Sequence, residues 1–325
     1  MNEVRVGRTD LFVPRIGLGT AALGNFQQAI SDTDAVAVVD HALDRGIRYL
    51  DTAPLYGHGL AEKRVGRGVA AADRDQLVMS TKVGRLLRPD APRDETQYYD
   101  GVPFYLDVPP VGPVWDFSYD GIRRSVEESL ERTGLERFDV LLMHDPDDHL
   151  EAAATTAYAA LRDLRAAGTV SAIGAGMNHS APLTELVRSC DLDVVLLAGR
   201  YTLLDQSALA DLLPACEERE VSVVIGGVFN SGILVDPLPG ASFDYIPARD
   251  EVVAKAVAIR DLCRKYDVPL AAAALQFPLA HPRVSTVLIG ARTVGELDED
   301  LALLDVEIPS ALWTDLQNAG LTDAR

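Results

Sequence analysis

Cysteine is scarce in this sequence: Cys190, Cys216 and Cys263 are the three in 325 residues. An odd number without C-x-x-C spacing excludes a disulfide framework and a zinc knuckle, and points to a reduced, cytoplasmic setting. Long apolar runs are missing as well. No stretch of about 18 apolar residues occurs, and the opening MNEVRVGRTD has no apolar h-region, so neither a membrane span nor a secretory leader is expected. Bases are outnumbered, with 30 Lys and Arg against 49 Asp and Glu and a net charge of −19. That balance disfavours nucleic acid and anionic membrane as partners and leaves small molecules. No G-x-G-x-x-G follows a strand pattern and opens a helix, so a Rossmann-type dinucleotide site is not indicated.

What the chain does have is a regular alternation. Hydrophobic residues make up 48% and charged residues 24%, enough to bury a sizeable core. Eight β-branched or apolar runs recur: IGLGTAAL (16–23), RYLDTAP (48–54), LVMSTKV (77–83), DVLLMHD (139–145), VSAIGAG (170–176), DVVLLAG (193–199), SVVIGGV (222–228) and STVLIGA (285–291). Amphipathic runs separate them. In TDAVAVVDHALDRG, Ala35, Val38, Val39 and Ala42 form one apolar stripe and Gly46 is the stop. In DGIRRSVEESLERTG the stripe is Ile122, Val126 and Leu130, ended by Gly134. Eight strand–helix units over this length predict an α/β fold, a single (β/α)8 barrel domain spanning residues 1–325. VRVGRTDLFVPR predicts an N-terminal hairpin closing the barrel's bottom. Two long insertions, Gly84 to Asp120 and the stretch from Val228 to Glu251, follow strands three and seven. They therefore belong on the C-terminal face, where barrel active sites are built. The first carries Tyr98, Tyr99, Phe104, Tyr105, Trp115 and Phe117, a composition expected of a lid rather than of a solvated linker.

Strand ends carry the chemistry. Asp51, Lys82 and His144 end strands two, three and four, and Tyr56 lies just beyond Asp51. Singly, each has a structural reading as a turn cap, a surface pair, a core histidine or packing. Together, an acid, a base and a phenol at adjacent strand ends make one device.

The segments GLGTAALG, YLDTAPLYGHGLAEKRVGRGV, STKVG, FDVLLMHDPDD and VLIGARTVGELDEDLALL resemble the aldo-keto reductase superfamily over essentially the whole chain. YDGIRRSVEESLERTGLERFDVLLMHDPDDH and GGVFNSGIL are similar to its bacterial aldose 1-dehydrogenase branch, which includes L-fucose, D-threo-aldose and pyridoxal 4-dehydrogenases. The resemblance implies a catalytic tetrad of Asp51, Tyr56, Lys82 and His144 for hydride exchange between a nicotinamide and an oxygen-bearing carbon. A free phenol has a pKa of about 10. The Lys82 ammonium is expected to lower that of Tyr56, with Asp51 holding Lys82 and His144 orienting the substrate oxygen.

The same resemblance implies a dinucleotide lying across the barrel mouth. Gly19, Thr20 and Asp51 would border it, and Asn178 would meet the carboxamide. Phe229, Asn230, Ser231 and Gly232 would grip the pyrophosphate. Gly290, Arg292, Glu296, Glu299 and Asp300 would hold the adenosine end. Three positions depart from the superfamily pattern: Met177 stands where serine is usual, Ala198 where glutamine is, and Gly226 where the stacking tyrosine is. A carboxylate at Glu296 would accept from a ribose 2′-hydroxyl and repel a 2′-phosphate, which favours NAD, with NADP still allowed through Arg292. Tyr56, His58, Trp115, Asp116, His144 and Arg200 are candidate contacts to a cyclic sugar or pyridoxal. HDPDDH offers Asp145, Asp147, Asp148 and His149 as a nominal metal cluster. Acidic loop residues usually face water, and no metal is expected. Two alternatives stay open, a general aldehyde or ketone reductase and a regulatory barrel of the potassium-channel β-subunit kind.

Overall fold

Side chains alternate across a strand, so one parity of each barrel strand faces inward and the other packs under the helices. The structure, a computed structural model, describes residues 3–92 and 94–323. Its eight barrel strands are β1 (Ile16–Gly19), β2 (Tyr49–Asp51), β3 (Val78–Val83), β4 (Val140–His144), β5 (Ala172–Met177), β6 (Val194–Ala198), β7 (Ser222–Gly226) and β8 (Val284–Ile289). All eight pair in parallel and in chain order, and β8 returns to β1 to close the barrel. Six of the eight fall inside their predicted runs, while β5 runs one residue past its run to Met177 and β8 starts one residue before its run at Val284.

The inward parity holds Tyr49, Val78, Val140, Leu142, Ala172, Val194, Leu196, Val224 and Leu288, one buried cluster. The outward parity, including Leu50, Met79, Leu141 and Met143, joins the larger core beneath the helices. Following the inward parity toward the C-terminal ends gives Tyr49 then Asp51, Val78 then Ser80 and Lys82, Leu142 then His144. Apolar at the bottom and polar at the top, the same face of three adjacent strands delivers the functional groups to one mouth.

Helix α1 (Asp32–Asp44) buries Ala35, Val38, Val39 and Ala42 as the pattern requires, and the Ser31 side chain caps it by accepting from the Asp34 amide. Helices α2 (Leu60–Val69) and α3 (Tyr119–Thr133) pack closely: a Cβ on Gly66 would meet the Thr133 carbonyl at 1.9 Å. Buried Glu62 ties them to the barrel. It accepts from Thr81 Oγ1 at 2.9 Å and from Arg132 Nε at 2.5 Å. The G-x-x-E after strand two is therefore a packing device. At the bottom, the hairpin of Glu3–Arg5 and Phe12–Pro14 pushes Val6 and Val13 into the barrel's inner cluster. Among the described residues no helix is long and apolar enough to cross a membrane.

Candidate active site

The loop after β2 places the phenol. Gly57, His58 and Gly59 all have left-handed φ (62°, 52° and 87°), and Gly57 lies against Gly24, where a Cβ would meet the Gly24 carbonyl at 2.3 Å. This contact with the loop after β1 fixes Tyr56 at the barrel mouth. Below it, Lys82 Nζ donates to Asp51 Oδ2 at 2.6 Å and to the Thr52 carbonyl at 3.1 Å, with both charged side chains only 2% exposed. Ser80 Oγ donates to Asp51 Oδ1 at 2.7 Å. The ammonium lies 4.7 Å from the Tyr56 ring centre, and the His144 ring stands edge-on to that ring at 5.9 Å. The four predicted tetrad residues thus share one site.

One electrostatic expectation is reversed. The Tyr56 phenol is held well above the usual tyrosine range by burial and by the Asp51 charge, with Asp145 and Tyr245 adding to it and Arg85 opposing. The Lys82 ammonium, paired with Asp51 at 2.6 Å, does not overcome burial and the Asp51 charge. Burial, then the charges of Arg85 and Lys82, push His144 well below the ordinary histidine value. The imidazole is neutral at pH 7, and its Nδ1 has no hydrogen-bond partner.

These groups line a cavity of about 630 Å³ at the C-terminal mouth. Gly19, Thr20, Asp51, Asn178, Phe229, Asn230, Ser231, Gly232 and Gly290, all singled out by sequence, line it too. Its roof comes from both insertions: Gln97, Tyr98, Phe104 and Tyr105 from the first, Asp244, Tyr245 and Ile246 from the second. Phe26, from the loop after β1, joins them, with ring centres 4.9 Å from Tyr245 and 5.2 Å from Tyr105. The sequence reading missed Phe26, Tyr245 and Asp145 as lining residues. For Phe26 and Tyr245 the signal was available, because both lie in loops leaving C-terminal strand ends.

Several expected contacts lie elsewhere. Trp115 is not in the cavity lining. It pairs with Arg85 across a two-stranded ribbon, its ring carries the Arg85 guanidinium at 3.9 Å, and it stacks on Phe117. Asp116 accepts from the Ser118 amide at 3.1 Å and supports the start of α3. His58 packs near Tyr105, and burial holds its pKa down. Arg200 is clasped by Asp244 through two bonds of 2.6 and 2.9 Å and borders a smaller cleft of about 160 Å³ shared with Asn178. The Asn230 side chain is spent on the fold, accepting from Thr202 Oγ1 and donating to the Gly199 carbonyl. Arg292, Glu296, Glu299 and Asp300 sit on or before the helix Val294–Ala302, beyond the cavity. There Glu296 accepts from the Arg292 amide at 2.7 Å, and Asp300 is pushed up to about 6 by burial and by Glu296 and Glu299. In the acidic HDPDDH run, Asp147 pairs with His179 at 2.7 Å and His149 packs on Trp115 and Phe117.

A closed parallel barrel carries a phenol, a buried lysine–aspartate pair and a neutral histidine at its C-terminal mouth, and the comparisons with known proteins make the chain an oxidoreductase. The Aldo/keto reductase family pattern matches residues 15–320, and the chain belongs to that family. It is 44% identical to a D-threo-aldose 1-dehydrogenase from a Pseudomonas species, covering 98% of both chains. It is 39% identical to a pyridoxal 4-dehydrogenase from Microbacterium luteolum, covering 97% of this chain and 96% of that one. Among solved structures, an aldo-keto reductase from Bacillus halodurans in its holo form superposes with a TM-score of 0.79 at 25% identity, covering 100% of this chain and 97% of that chain. Members of this family work with a nicotinamide dinucleotide.

Proposed function

We propose that this enzyme oxidises the anomeric carbon of an aldose of the L-fucose or D-arabinose type, with NAD as cofactor. The observation that carries the reading is the Tyr56 phenol facing His144 above the buried Lys82–Asp51 pair in a single cavity. The cavity fits a flat ring: a Cβ added at Gly226 would meet nothing closer than 3.8 Å, and one at Gly176 nothing closer than 3.5 Å, so bare backbone forms its floor. Thr20, Asn178, Ser231 and Gly232 would hold the dinucleotide. Ser231 Oγ accepts from the Tyr245 amide, and its own proton is still available to donate.

A bound oxidised nicotinamide would supply the hydride acceptor and a positive charge. That charge favours tyrosinate, which offsets the burial and the Asp51 field acting on Tyr56. Neutral His144 donates a hydrogen bond to the anomeric oxygen and fixes its angle. Tyr56 then takes the hydroxyl proton as hydride leaves the carbon, and the product is a lactone whose hydrolysis draws the reaction forward. Glu296, Glu299 and Asp300 crowd negative charge at the adenosine end, which supports NAD over NADP. Pyridoxal is the second candidate, favoured by the aromatic roof of Phe104, Tyr105 and Tyr245. The test is to mix protein with NAD+ or NADP+ and a panel of aldoses, pyridoxal and simple alcohols, and in parallel with NADH or NADPH and aliphatic aldehydes, and to follow absorbance of the reduced nicotinamide. Faster reduction of aliphatic aldehydes than oxidation of any cyclic hemiacetal would refute the reading.

A further inference from the structure

Beside the tetrad lies a second charged pair that the proton relay does not use. Asp145 follows His144 and holds a left-handed φ of 42°, uncommon for any residue but glycine. Its amide still extends the β4–β5 ladder by donating to the Gly176 carbonyl at 2.9 Å, while its carboxylate lines the cavity and is 26% exposed. Arg85 Nη2 donates to Asp145 Oδ2 at 2.7 Å, and His144 Nε2 lies 3.5 Å from the same oxygen. Arg85 is 4% exposed and stacked on Trp115, and among the described residues its Nε and Nη1 find no hydrogen-bond partner.

Such a pair is expensive to bury, and packed apolar side chains would be about as stable. A left-handed carboxylate facing a ligand cavity, held by a buried arginine, points to recognition. We propose that Asp145, positioned by Arg85, accepts a hydrogen bond from the hydroxyl on the carbon next to the reacting one, and so selects α-hydroxy carbonyl compounds and their cyclic hemiacetals. The geometry supports this. Oxygens on neighbouring carbons of a sugar lie about one hydrogen bond apart, and Asp145 Oδ2 stands 3.5 Å from His144 Nε2, so a reacting oxygen held by Nε2 would put the neighbouring hydroxyl within reach of Asp145. A carboxylate only accepts, so it rewards a hydroxyl and gains nothing from a hydrogen or a carbonyl there. The assignment rests on His144 and Tyr56 as the groups that hold the reacting oxygen.

The experiment compares reduction of 2-hydroxypropanal and propanal, which differ only in that hydroxyl, with NADH and the full-length protein. Wild type should favour the hydroxylated aldehyde by at least ~10-fold in kcat/KM, the scale of one hydrogen bond to a charged group. In Asp145→Ala the ratio should collapse to within about threefold, and Arg85→Gln should lose part of it through KM. General damage lowers both aldehydes together and leaves the ratio alone. A ratio that survives in Asp145→Ala, or its absence in wild type, overturns the proposal. If Asp145→Ala fails to fold, Asp145→Leu, which is apolar and similar in size, serves with the same expected collapse of the ratio, and cofactor binding by tyrosine and tryptophan fluorescence shows that it is folded. Hydroxyl preference in a wild type that oxidises no aldose would remove the dehydrogenase reading and leave this one standing.

Discussion

Replacing Asp51 by Asn tests the buried pair most directly. Lys82 and Asp51 are each 2% exposed and meet at 2.6 Å, so the substitution strands an ammonium away from water. Its remaining partner is the Thr52 carbonyl at 3.1 Å. Breaking a buried pair from one side costs about 3–5 kcal/mol. For 325 residues at about 2.1 cal/mol/K each, a loss near 4 kcal/mol lowers Tm by roughly 6 °C. Removing the second charge as well, in Asp51→Asn with Lys82→Met, leaves no orphan ion and should return stability to within about 1 kcal/mol of wild type. Activity should behave oppositely, falling ~10²-fold or more in the single variant and staying down in the double. Urea midpoints with a constant m-value, alongside steady-state turnover, give both readouts. A single variant within 1 kcal/mol of wild type, or a double as unstable as the single, would refute the reasoning.

Other outcomes follow from the same site. Tyr56→Phe should cut kcat by at least ~10²-fold with cofactor Kd nearly unchanged, checked by fluorescence titration. The Tyr56 phenol is raised by burial and Asp51 and must be deprotonated to accept a proton, so aldose oxidation should climb with pH through the neutral range. Reduction, which needs the protonated form, should be flat there, and His144, held neutral, should add no limb near 6.5; paired pH–kcat profiles decide this. Glu296→Arg should raise the NADP/NAD ratio of kcat/KM by ~10-fold or more, and an unchanged ratio would place Glu296 away from the ribose.

Legibility was uneven for physical reasons. Asp51, Lys82 and His144 were readable because period-two alternation puts them on the same face as Tyr49, Val78 and Leu142 at three neighbouring strand ends. Trp115 was not. A loop aromatic carries no periodicity to say which way it points, and the ribbon pairing that turns it onto Arg85 depends on partners thirty residues apart. Asp145 was hidden in an acidic run that looks solvated, since only the left-handed turn after β4 separates it from Asp147. The direction of the Tyr56 shift was unreadable because it depends on how closely Asp51 cancels Lys82.

The N-terminal hairpin has a kinetic consequence. Val6 and Val13 are buried in the barrel's lower end, and Gly7 is pressed so near the Asp193 carbonyl that a Cβ would stand 2.4 Å away, so among the described residues the hairpin plugs the barrel's bottom. On the proposed function, a dinucleotide and a sugar would both enter the cavity at the C-terminal mouth, lined by Phe26, Tyr105 and Tyr245. A sugar already on the floor would obstruct the larger, flatter guest, whereas a seated dinucleotide leaves the roofed half free. The proposed function then predicts ordered binding, with coenzyme before sugar and product released before the reduced coenzyme; product-inhibition kinetics that show random order would count against it.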